Sequence, residues 1–174
     1  CRLILNDCGN SLYGASSIQQ LLGEQLAEAR DFNDALLMAE IWNSIGTTKP
    51  YHEHSKYAPS PMVSAAFHFE LCGDSARALK AQAFNLYPKM GSPEMLRFTR
   101  MVLTKSKAWG NSSLMSFAHS FLGVAFIAKR MQDSALYHID KSALYAQQRG
   151  SVFQKLMASY TKAYYYLQNN RHQE

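Results

Sequence analysis

The stretch FAHSFLGVAFIAKRMQDSA, residues 117–135, decides how the rest of the chain is read. Its apolar residues recur at helical spacing, break at a polar run, and resume. The Leu122-Gly123 pair is followed by Phe126 and, across the break, by Ala135. A Gly on one helix and an Ala on the next let two antiparallel helices approach closely, while the bulkier Leu and Phe beside them fill the gaps. A single hairpin of this kind cannot bury its own apolar face and needs a stacked neighbour.

The pattern occurs twice more. Leu22-Gly23 is followed by Leu26, Asp31-Phe32 and Ala35; Ala65-Ala66 is followed by Phe69, Gly73-Asp74 and Ala78. The separation of the two small residues is 12 in each case, from 23 to 35, from 66 to 78 and from 123 to 135. Each pair is therefore expected to touch.

Working outward, the spacing predicts helices over 14–30, 33–46, 60–72, 74–87, 93–108, 112–130, 132–149 and 151–169. Asp31, Asp74 and Asp133 are read as caps near helix starts. Gly46, Gly110 and Gly150 are read as helix ends, where a left-handed residue is needed. Ser92-Pro93-Glu94 reads as a cap followed by a first-turn proline. Thr47 to Pro61 is a loop, and no segment reads as a strand.

These three segments resemble the tetratricopeptide repeat, whose signature is Leu-Gly, an aromatic three residues on, and Ala on the second helix. The resemblance implies an all-α fold, a right-handed superhelical stack of antiparallel helix hairpins. Residues 14–174 then form one repeat domain behind an extension over 1–13. The chain departs from the family in several ways. Gln19 and His119 stand where the repeat carries Trp, and glycines replace the terminal proline. The repeat is also longer, with 40 residues from Gly110 to Gly150 and from Gly123 to Ala163. Helices 14–30 and 151–169 both read as first helices although they are seven apart, so the alternation fails between Thr47 and Gly110. The second helix expected after 151–169 would begin beyond Glu174, which reads as a domain cut before its last partner helix, unless helix 151–169 is itself the cap.

Composition agrees with a helical globular chain. Hydrophobic residues make up 47% of the 174, and no run is long and apolar enough to span a membrane. Charge is uneven: residues 1–74 carry nine acidic and four basic side chains, residues 75–174 four acidic and fourteen basic. A basic half suits an acidic partner, an anionic surface or nucleic acid, and equally a solvated repeat surface. Three cysteines are too few for a disulfide scaffold, and Cys72 reads as a small buried residue. Cys1 heads the chain where Met would be expected. A processed, lipid-anchored end of an exported protein and a fragment boundary both give that first residue.

No catalytic motif emerges. His52-Glu53-His54 lacks the helical spacing of zinc proteases and a third ligand, so it reads as surface loop. His68 and His119 read as packing or groove residues. No nucleophile elbow, phosphate loop or dinucleotide fingerprint occurs, so no enzyme, cofactor or metal is expected. Arg97, Arg100 and Lys107 fall on one face of helix 93–108 and could grip an acidic partner. No nucleic-acid-binding motif accompanies them, which argues against DNA or RNA.

The resemblance also implies a functional surface, since first helices of tetratricopeptide hairpins line a concave groove that holds peptides. Carried over through the Leu-Gly register, the groove takes Gln20, Glu24, Ala27 and Glu28, then Phe117, Ser120, Val124 and Ile127. Helix 151–169 adds Tyr160, Tyr164 and Leu167, 40 beyond Ser120, Val124 and Ile127. These tyrosines are the expected anchors. Repeat core is the competing reading of the same residues. The expected function is a protein- or peptide-binding scaffold, with a ligand-binding input domain of a larger regulatory protein as the alternative.

Overall fold

A computed structural model describes residues 15–48, 60–149 and 152–170. Every regular element among them is helical: α1 (Ala15–Asp31), α2 (Ala35–Thr48), α3 (Pro61–Leu71), α4 (Ser75–Asn85), a 3-10 turn (Tyr87–Lys89), α5 (Pro93–Ala108), α6 (Ser112–Ala128), α7 (Gln132–Arg149) and α8 (Val152–Asn170). No strand occurs among the described residues. The extension over 1–13, Cys1, His52, His54 and Gly150 lie outside them, as does most of the expected Thr47–Pro61 loop.

One turn joins the helices four times. After α1, α3, α5 and α6 a single residue enters the left-handed region: Asn33 (φ 50°), Gly73 (φ 74°), Gly110 (φ 60°) and Arg130 (φ 58°). Its N–H bonds the carbonyl three residues back, and the next N–H bonds the carbonyl five back. At Gly73 and Asp74 these bonds, to Glu70 and Phe69, measure 2.9 and 2.8 Å. This satisfies carbonyls that a helix C-terminus otherwise leaves bare. The residue after the turn then caps the next helix. Asp34 accepts from Leu37 N–H, Asp74 from Arg77 N–H and Asn111 from Leu114 N–H, each at 2.9 Å. Ser92 caps α5 through Met95 N–H at 3.1 Å, with Pro93 in the first turn as expected.

Several sequence expectations need correction here. Asp31 ends α1, and the cap of α2 is Asp34. Asp133 sits inside the first turn of α7, where Met131 precedes Gln132 without a side-chain acceptor. Gly46 lies within α2, where a Cβ would come within 2.8 Å of the Met62 side chain. Its bareness serves the approach of α3, and ends no helix. Cys72 is exposed, because it follows the last helical residue of α3.

The chain divides into two compact units, Cys1–Asn85 and Leu86–Glu174. The boundary falls inside the stretch where the sequence alternation fails. In the first unit α2 packs on α1 and on α3, and α4 packs on α3. Leu22, Leu26 and Ala29 meet Met38, Ile41 and Ile45; Ala39, Met62, Ala65, Ala66, Phe69, Ala78 and Ala81 form a second cluster. Ala66 and Ala78 thus share one buried cluster, as their spacing implies. Arg77 bonds Glu40 of α2 and Asp74, and lies 4.6 Å from the centre of the Phe69 ring.

In the second unit α6 is central, packed by α5, α7 and α8. Its sequence is apolar around the helix, and eleven of its residues from Leu114 to Phe126 are buried. Serines let α7 approach: Ser142 Oγ donates to the Ser116 carbonyl at 2.9 Å and lies 2.6 Å from Ser120 Oγ. Gly123 serves the same approach, but its neighbours are Ile139 and Thr161, not Ala135; Ala135 packs with Leu122 and Phe126. Gly23 is exposed with nothing within 4 Å of a Cβ, so the expected Gly23–Ala35 contact is absent. The reason is geometric. α1 is packed by α2, so its Leu22–Leu26–Ala29 side is buried and Gly23 turns away.

Candidate functional site

The helix α8 has one face packed into the unit and a second, apolar face in solvent. Gln154, Ala158 and Thr161 are buried against α6 and α7, with Met157 and Tyr165 half-buried beside them. Gln154 Nε2 donates to the Ser113 hydroxyl of α6. On the opposite side Val152, Leu156, Tyr160 and Leu167 are 74, 64, 59 and 61% exposed. Their spacing of four, four and seven places them on one side of a helix, with exposed Ala163 among them. One packed stripe would explain a surface helix; the second stripe has no role in this unit's core.

Next to the stripe, the Tyr160 and Tyr164 rings stack with centroids 6.4 Å apart and planes 9° from parallel. Tyr164 is half-buried and lines a cleft of about 490 Å³ with Ile127, Arg130, Met131, Tyr165 and Gln168. The cleft lies between the end of α6, the turn at Arg130 and the end of α8. Tyr87 sits near both tyrosines, and burial first, then their proximity, pushes its phenol above the usual value.

The residues expected to line a groove on α6 fare differently. Phe117 and Ser120 are buried, and this overturns their placement on an open groove. Phe117 packs against Phe121 at 4.4 Å, and Tyr87 meets the Phe121 ring edge-on at 5.9 Å. Gly91 continues the same run along α6, where a Cβ would lie 3.3 Å from that of Ala128. The chain's own segment around 87–91 therefore covers this side of α6. Ser120 instead points to Ser142 of α7. Val124 and Ile127 remain half-buried, and Ile127 reaches the cleft.

In the first unit Gln20 and Glu24 are exposed on α1 and joined by a 3.1 Å hydrogen bond, with Ala27 and Glu28 exposed beyond them. The groove expected from the sequence leaves out α3 of the same unit. Val63, Phe67 and Leu71 form an exposed apolar row on α3, Phe67 and Leu71 about as open as Leu167. The signal was present: Ala66 holds the place of Gly23, so residues 63, 67 and 71 correspond to 20, 24 and 28.

Arg97, Arg100 and Lys107 are all exposed on α5. Two of its charges act on a histidine pair between α6 and α7. His119 Nδ1 and His138 Nδ1 lie 2.8 Å apart, so one ring must donate and the other accept. His119 stacks on Tyr145 and His138 on Phe126. Burial, then His138, Lys107 and Lys141, push His119 down to about 4. His138 is lowered by burial, then by Arg100 and Lys107. Two neutral imidazoles tied to each other and sandwiched by aromatic rings act as a polar link between α6 and α7. Among the described residues no three His, Cys, Asp or Glu side chains form a group able to hold a metal.

Comparison with protein-family models, with characterised proteins and with solved structures finds no match for this chain.

Proposed function

We propose that this chain binds a protein or peptide, and that the outer face of α8 is a principal contact surface. The observation that carries the proposal is the row Val152, Leu156, Tyr160 and Leu167, large apolar side chains left in solvent opposite an already packed face. Scattered exposed apolar residues are ordinary, but a contiguous row with an aromatic anchor is characteristic of recognition surfaces. The α3 row of Val63, Phe67 and Leu71 offers a second such surface in the first unit.

The tetratricopeptide-like assignment, with its right-handed superhelical stack, belongs to the same proposal. It is supported by the repeated left-handed turn, by the spacing of 40 from Asn33 to Gly73, and by α8 packing on both α6 and α7 as a following first helix would. No catalysis is proposed. A second reading, a ligand-binding input domain, is favoured by one observation, the cleft beside Tyr164 and Arg130. No described helix is long and apolar enough to cross a membrane.

Tyr160→Ala tests the main reading. An exposed anchor should leave thermal stability within about 0.5 kcal/mol of the parent and cost at least about 2 kcal/mol of partner affinity. Lost stability with affinity intact per folded molecule would assign the tyrosine to the core and remove the proposal. Tyr164→Ala separates the second reading, since only a ligand held in the cleft would lose affinity through it while Tyr160→Ala stays neutral.

A further inference from the structure

The inference here rests on the reading of α8 as a binding face and names its occupant. We propose that this face takes an amphipathic, acid-flanked α-helix of another polypeptide, its apolar side on Val152, Leu156, Tyr160 and Leu167 and its carboxylates toward Lys155, Lys162 and Arg130.

Charge selects the occupant. α8 contains two lysines and no acidic residue over 152–170. Lys155 and Lys162 are exposed and seven apart, so both lie on one flank of α8, with exposed Ser159 and Tyr166 between them and the apolar row. Arg130 stands across the cleft that borders Tyr164 on the other edge. Cations thus lie to both sides of the apolar row. Lys162 is 3.6 Å from Asp140, an exposed pair that a partner carboxylate can replace at little cost. The same charges disfavour a second copy, because a two-fold contact through α8 would set Lys155 and Lys162 against the same lysines.

Geometry selects a helix over an extended segment. The row spans about 22 Å at 1.5 Å per residue, roughly four helical turns. Its side chains are spaced to interleave with an apolar stripe of the same period. An extended peptide would need partners for its own N–H and C=O groups. Of the four side chains in the row, Tyr160 alone has a hydrogen-bonding group. A helix satisfies its backbone internally and asks of this face only apolar contact and flanking charge.

Two synthetic helical peptides test this, identical in their apolar stripe, one flanked by glutamates and the other by lysines. Fluorescence anisotropy measures their affinity for the intact chain. The acidic peptide should bind at least about tenfold tighter at low salt, with the advantage shrinking as salt rises. The double variant Lys155→Glu, Lys162→Glu should reverse the preference, and Leu156→Asp should weaken both peptides at least about tenfold. Circular dichroism establishes that each variant is folded. Equal binding of the two peptides, still lost in Leu156→Asp, would overturn the acidic occupant while leaving α8 a binding face. Binding of neither peptide to folded protein would remove both. Dimers in sedimentation that vanish in Leu156→Asp would make a second copy the occupant and overturn the proposal.

Discussion

Gly123 and Gly23 hold the same place in the sequence pattern, and alanine should act on them with opposite sign. In a helix interior Ala is favoured over Gly by about 1 kcal/mol. At Gly123 that gain meets a clash, because the new Cβ would lie 2.9 Å from Ile139 Cγ1 and 3.6 Å from both Ile139 N and Thr161 Cγ2. Ile139 is fully buried and Thr161 likewise, so neither can swing into solvent. Overpacking of this kind costs roughly 1–3 kcal/mol, which leaves Gly123→Ala destabilising by up to about 2 kcal/mol. Gly23 has nothing within 4 Å, so Gly23→Ala should stabilise by roughly 0.5–1 kcal/mol. Urea unfolding measures both. The chain has two tryptophans, Trp42 in the first unit and Trp109 in the second. Following Trp109 in a Trp42→Phe background, and Trp42 in a Trp109→Phe background, assigns each change to its own unit. In a cycle with Ile139→Ala, Gly123→Ala should show a favourable coupling of about 1 kcal/mol. Equal stabilisation by the two alanines would refute the packing of α6 against α7 and α8 described above.

Three further outcomes are expected. The neutral His119–His138 pair makes the second unit acid-sensitive: His119 is lowered from 6.5 to about 4, so its contribution is complete above 6.5, declines as pH falls through that value and is gone near 4. That amounts to about 3 kcal/mol, read as the pH dependence of the Trp109 midpoint, which His119→Phe should reduce to the share carried by His138. Arg130 adopts φ 58° and Gly73 φ 74° in equivalent turns, so Arg130→Gly should stabilise by about 1 kcal/mol and Gly73→Ala should destabilise by roughly 1–2 kcal/mol in urea titrations. Asp74 resists protonation: partial burial works against its charge, but bonds from the Arg77 backbone and guanidinium outweigh it and hold the carboxyl below its usual range. Asp74→Ala removes the α4 cap and that ion pair together and should lower the first unit's stability by about 1 kcal/mol, seen at Trp42.

Helix positions were legible because apolar period and turn chemistry agree almost everywhere; all eight segments appear within a few residues of their expected bounds. Gly73 and Gly110 betrayed their turns, whereas Asn33 and Arg130 occupy the same conformation without glycine's signature. The depth of each helix was not legible. The same Leu-Gly pair is half in solvent on α1 and fully enclosed on α6, because enclosure depends on how many helices pack around it. For the same reason Phe117 read as groove: nothing in its spacing announces that Tyr87 and Gly91 lie along that side of α6. Of the three α8 residues carried over by the 40-residue spacing, Tyr160 and Leu167 are exposed and Tyr164 is half-buried. The His119–His138 contact joins residues on different helices and has no local sequence signal.

The claim that α8 is a recognition surface is tested most directly by the methyl groups of Val152, Leu156 and Leu167. In NMR spectra of the free protein with a soluble paramagnetic probe, these methyls should relax strongly while those of buried Leu114, Leu122 and Val102 do not. Adding the acid-flanked helical peptide should shield the first group and leave the second unchanged. Methyls on α8 already shielded in the free protein, or shielding by the peptide that falls on Val63 and Leu71 of α3 and leaves α8 bare, would contradict the account.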